Sequence, residues 1–100
     1  MINEKTLNFI RFSSGFNNLK SEELEAFAEN EIFELNEYNA SEGTQGKYFY
    51  TIDDLNTNGT LKSYIIECLK LSLQTRWGNN LEYHIDRKTK YLNKLTGMQA

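Results

Sequence analysis

The chain has no proline, and it carries one cysteine and one histidine. Valine is absent as well. A single thiol excludes an internal disulfide and any cysteine-built metal cluster. An unpaired cysteine suits a reducing compartment, so a cytoplasmic location is expected. No run of apolar residues exceeds three, as in Tyr64-Ile65-Ile66, so no stretch reads as a membrane-crossing helix. The first residues alternate polar and apolar, so no secretory leader is expected there. Reactive groups are equally sparse. No phosphate-cradling glycine loop, nucleophile elbow or metal-ligand spacing is present. The expectation is a non-enzyme without a cofactor.

What is present is enough for one small domain over residues 1–100. A chain of this size buries roughly 60–65% of the surface its unfolded form exposes, which allows one modest core. Twelve asparagines, with frequent isoleucine and lysine, have AT-rich codons and suggest a low-GC source such as a phage or mobile element. Thirteen aromatic residues are many for so small a core, and aromatics favour interfaces.

The formal net charge of −3 conceals a polarity. Residues 1–60 hold four basic side chains against eleven acidic ones, and residues 61–100 hold seven against three. Such asymmetry governs association more than fold. Three uses are open. The halves face each other within one chain or across a dimer, the basic end meets nucleic acid, or the acidic segment meets a basic partner.

Asn3 caps a first helix over about 4–13, with Leu7, Phe9, Ile10 and Phe12 as its apolar face and Gly15 after its end. Ser21 caps a second helix, with Leu24, Phe27 and Ala28 as its buried stripe. Beyond Asn30 the spacing permits either a continued helix through Ile32, Leu35 and Tyr38 or a strand over 31–36. The aromatic and β-branched run Lys47-Tyr48-Phe49-Tyr50-Thr51-Ile52 reads as a strand needing a partner, which favours a hairpin with 31–36. Thr60 opens a third helix whose polar stripe is Ser63, Glu67, Lys70 and Gln74, with Gly78 as its C-cap residue. A fourth runs from Leu81 to about Thr96 behind Asn80, with Leu81, Ile85, Leu92 and Leu95 toward the core. The predicted fold is α+β and helix-dominated, in the order α-α-β-β-α-α, with a C-terminal αα-hairpin. The alternative is an all-α four-helix arrangement.

Asp54-Leu55-Asn56-Thr57-Asn58-Gly59-Thr60-Leu61 places oxygen side chains at positions one, three and five, glycine at six and an aliphatic residue at eight. It resembles the first two-thirds of an EF-hand or dockerin calcium loop, which implies a calcium-dependent module. The twelfth residue, where a bidentate acid belongs, is Ile65. Arg87, Lys88, Lys90 and Lys94 offer phosphate contacts for nucleic acid, although the acidic pI of about 5.1 opposes that reading. Seven glutamates between Glu22 and Glu37 can mimic nucleic-acid charge or form a solvated face. Cys68 falls on the apolar face of the third helix, where a thiol is inert. His84 falls beside the core stripe of the fourth. The leading expectation is a protein-protein interaction module, accessory, regulatory or inhibitory, that self-associates as a homo-oligomer. Its contact residues are expected to be Tyr48, Tyr50, Trp77, Tyr83, Arg87 and Tyr91.

Overall fold

The computed structural model describes residues 1–41, 48–72 and 81–97. Its elements are α1 (Glu4–Ser14), α2 (Ser21–Ser41), a short 3-10 helix (Ile52–Asn56), α3 (Gly59–Ser72) and α4 (Leu81–Thr96). No strand occurs among the described residues, so the α+β expectation is replaced by its all-α four-helix alternative. No helix of the described residues is long and apolar enough to cross a membrane.

α1 begins as its sequence dictates. Asn3 Oδ1 accepts the Thr6 N–H at 2.8 Å, and Gly15 closes the helix at φ 84°, donating to the Arg11 and Phe12 carbonyls. Its buried face is Thr6, Leu7, Ile10 and Ser14. Phe9 and Phe12, expected on that face, point outward. Each lies two residues beyond a buried one, about 200° further round the helix.

α2 does not stop at Asn30. Leu24, Ala28, Ile32, Leu35 and Asn39 are buried at steps of four, four, three and four, an unbroken stripe along the whole helix. Ser21 is already helical rather than its cap. Its hydroxyl accepts from Arg11 Nη2 at 2.8 Å, while the Lys20 N–H donates to the Glu23 carboxylate at 3.0 Å. The expected hairpin fails for a specific reason. Residues 48–51 do leave helical geometry, but asparagines of α2 take their backbone bonds. Asn36 Oδ1 accepts from Tyr50 N at 2.9 Å, and Asn36 Nδ2 donates to Tyr50 O at 2.8 Å. Asn39 Nδ2 donates to Tyr48 O at 2.8 Å. A carboxamide carries the same donor and acceptor as a peptide unit, so it satisfies an extended chain as a neighbouring strand does.

α3 is the central element. Leu61, Tyr64, Ile65, Ile66, Glu67, Cys68 and Leu69 are all buried, and the helix touches α1, α2, the 3-10 helix and, most extensively, α4. Asn58 caps it by accepting from Leu61 N at 3.0 Å. α4 runs antiparallel to it, since Tyr64 meets Lys88 while Glu67 meets His84. The expected αα-hairpin packing is therefore present, although Gly78 and Asn80 of the connection lie outside the described residues. The register of α4 differs from expectation. Ile85 is 46% exposed, whereas His84 and Leu95 are buried and Tyr91 and Leu92 pack against the core. The inward stripe is His84, Lys88, Tyr91 and Leu95, rotated by one residue toward a polar anchor.

The core is aliphatic. Tyr64 is the one aromatic residue buried among the described residues, and none of the six phenylalanines is.

Candidate interaction surfaces

The anchor of α4 is a buried carboxylate. Glu67 belongs to the expected polar stripe of α3, yet it is 2% exposed. His84 Nδ1 and Glu67 Oε1 share a hydrogen bond of 2.6 Å, and Arg87 Nε donates to Oε2 at 3.1 Å. A buried charge is tolerable when paired and hydrogen-bonded in this way. The bond to Glu67 is the first cause holding the Arg87 guanidinium above its ordinary pKa. The same guanidinium donates to the Tyr91 hydroxyl at 2.7 Å and more loosely to that of Tyr83 at 3.4 Å. It lies 5.5 Å from the Tyr83 ring centre and 5.4 Å from that of Tyr91. Residues 83, 87 and 91 are successive i,i+4 neighbours, so one face of α4 presents a Tyr-Arg-Tyr ladder fixed from beneath by Glu67. Three of the expected contact residues thus come together. The anchor beneath them went unread because helical spacing alone cannot tell a solvated glutamate from one covered by a neighbouring helix.

The other expected contact residues do different work. Tyr50 is half-buried, donates its hydroxyl to Leu95 O at 2.7 Å and is clasped by Asn36. Burial, and then Tyr48, raises its phenol pKa. Tyr48 is also half-buried and lies against Gly97. Both straps fasten the segment after α2 to the rest of the fold. Trp77 lies outside the described residues.

The four cations proposed for nucleic acid do not make one uniform patch. Arg87 is committed to Glu67, and Lys88 Nζ lies 6.0 Å from the Tyr64 ring centre. Lys90 and Lys94 are exposed on a helix that also exposes Glu82 and Asp86.

The calcium-like loop spends its oxygens on three separate partners. Asp54 Oδ2 accepts from Thr51 N at 2.8 Å. Asn56 Oδ1 accepts from Asn3 N at 2.9 Å while its Nδ2 donates to Met1 O at 3.0 Å. Asn58 caps α3. Gly59 begins α3 without the positive φ that a calcium loop needs at that position. Among the described residues no group of three or more His, Cys, Asp or Glu is placed to hold a metal ion.

Cys68 is buried. Burial pushes its thiol up to about 12, the nearby Lys88 opposing and Glu31 reinforcing the shift. A thiol held so far from ionisation is a poor nucleophile.

Two aromatic surfaces were not foreseen. Phe33 and Phe49, 61% and 65% exposed, flank a groove of about 370 Å³ floored by Ile32, Tyr50 and Ile52, with Glu29 at its rim. Phe33 shares its helical stripe with Glu22, Glu29 and Glu37, all exposed. On α1, Lys5, Phe9 and Phe12 form a second exposed stripe. Lys62 Nζ lies 5.7 Å from the Phe9 ring centre. Phe9 separates a cleft of about 150 Å³ lined by Lys5 and Lys62 from one of about 200 Å³ lined by Lys70 and Arg87. The signal for Phe33 was available: once Leu24, Ala28, Ile32 and Leu35 share one helical face, residue 33 must lie off it.

No family model, curated protein or solved structure matches the chain.

Proposed function

We propose that this chain is a non-catalytic protein-binding module of a reducing, cytoplasmic setting, associating with itself or another protein through aromatic surface. The observation that carries this reading is the placement of phenylalanine. Phe9, Phe12, Phe33 and Phe49 are exposed, and Phe16 and Phe27 are only partly buried. Burying a phenylalanine contributes about 1.5–3 kcal/mol relative to leaving it exposed. Four left 49–80% exposed forgo about 4–8 kcal/mol, a large share of the stability of an ordinary domain. An interface regains that energy when it covers them. The Tyr83-Arg87-Tyr91 ladder supports the same reading, because tyrosine and arginine dominate binding hot spots and pre-ordered side chains lose less entropy on docking. The inert Cys68 and the Glu67-bound His84 support a non-catalytic role.

The test immobilises the natural chain and exposes it to an extract of its source cells and to a soluble second copy. Retention of a protein from either source is expected, and it should vanish when Phe9, Phe12, Phe33 and Phe49 are all replaced by serine. Retention that survives all four replacements, or no retention at all, refutes the reading.

A further inference from the structure

We infer that the partner of the acidic aromatic groove on α2 is a second copy of this chain, docking head to tail through the basic aromatic stripe on α1. The inference rests on the protein-binding reading and names its partner. Each surface has two exposed phenylalanines and a predominance of one charge. On α2 the stripe is Glu22, Glu29, Phe33 and Glu37, with Phe49 across the groove. No lysine or arginine occurs anywhere in Ser21–Ser41. On α1, Lys5, Phe9 and Phe12 lie beside Lys62, and the adjoining cleft holds Lys70 together with the Arg87–Glu67 pair, whose charges offset each other.

Charge decides the geometry. Two copies meeting symmetrically through α2 would set glutamates against glutamates, and through α1 lysines against lysines. Either arrangement is repelled. The α2 surface of one copy against the α1 surface of the next pairs opposite signs and covers all four rings. The ion pairs inside the chain leave that option open. Among the described residues, the pairs Met1 with Asp53, Arg11 with Glu4, and Glu67 with His84 and Arg87 stay within the acidic or the basic half. In this head-to-tail contact the α1 surface of the first copy and the α2 surface of the last stay open, so copies add into rings or open chains; a natural chain that stops at a closed dimer, pairing both surfaces reciprocally, overturns the inference.

The experiment uses light scattering and sedimentation on the full chain and on two variants, Phe33→Asp and Phe9→Asp, each blocking one surface. Lys5→Glu replaces Phe9→Asp if circular dichroism shows that variant to be misfolded, since an acid in the first turn of α1 is compatible with the helix. The natural chain should grow in mass with concentration. Raising salt from about 0.1 M to 1 M, which shortens the Debye length from about 10 Å to 3 Å, should weaken association about tenfold or more. Each variant alone should be a monomer of 11.7 kDa. Their equimolar mixture should form a discrete dimer that grows no further, because each contributes one intact surface. A natural chain that stays monomeric overturns the inference, as does a mixture that stays monomeric or a Phe33→Asp chain that still polymerises. If the natural chain is monomeric but retains a cellular protein through its phenylalanines, the self-docking inference fails while the binding-module reading stands. If nothing is retained, both fail.

Discussion

α2 and α4 are both amphipathic helices, one strongly acidic and one rich in bases, yet they are held by opposite means. α2 buries an aliphatic stripe against the core and keeps five of its seven glutamates fully exposed. α4 buries one leucine with a histidine and a threonine, and its most central cation reaches back to the buried Glu67. The charge of α2 is available to a partner, whereas much of that of α4 is engaged within the fold. Net charge along a segment therefore says little about charge at the surface, because burial by a neighbouring helix decides which groups are spent.

The contrast breaks first at Glu67. Glu67→Ala leaves Arg87 and His84 without their acceptor and should destabilise the fold by about 3–5 kcal/mol in urea unfolding. A loss below 1 kcal/mol would mean that α4 docks through its apolar residues as α2 does. On the α2 side, Asn36→Ala removes both bonds to Tyr50 and should cost about 1–3 kcal/mol. Hydrogen exchange should then rise at Tyr50 while α4 amides stay protected.

Alkaline titration probes Cys68 on α3, which has Glu31 of α2 and Lys88 of α4 among its charged neighbours. The folded thiol is pushed up to about 12 from 9.0, so its stabilising contribution is complete below about pH 9 and declines as pH rises toward 12. By pH 10 about 1–2 kcal/mol should be lost, a decline that Cys68→Ala reduces. Tyr64, raised in the same direction by burial, adds to the loss at still higher pH. Thermal melts at pH 8 and pH 10 measure the Cys68 loss, and a further melt at pH 11 measures the Tyr64 addition. At the end of α4, Gly97→Ala puts a side chain at φ 74° and a Cβ about 2.5 Å from the Tyr48 hydroxyl, and should lower stability by about 1 kcal/mol or more. The smallest effect belongs to the α2 surface: Phe33→Ser should change stability by less than about 0.5 kcal/mol while altering association.

Much of the helical framework was legible in the residues. Asn3, Gly15 and the apolar crowding of α3 each encode local rules that the structure follows. The strands were misread because Tyr48-Phe49-Tyr50 has strand composition, and composition does not reveal that Asn36 and Asn39 will supply the neighbouring hydrogen bonds from a helix. Phe9 and Phe12 were misjudged by weighting hydrophobicity above angular position. Asparagine abundance was read as a codon bias, although Asn3, Asn36, Asn39, Asn56 and Asn58 are caps and clasps here.

The sequence by itself determined the cap of α1 at Asn3 and its end at Gly15, the aliphatic crowding of α3, the separation of acidic from basic halves and the scarcity of reactive groups, since these follow from nearest-neighbour chemistry and period. Tertiary structure alone decided that Glu67 is buried, that Arg87 stands between two tyrosines and that the phenylalanines face outward. Those outcomes depend on which helix covers which face, a choice made by the packing of residues distant along the chain.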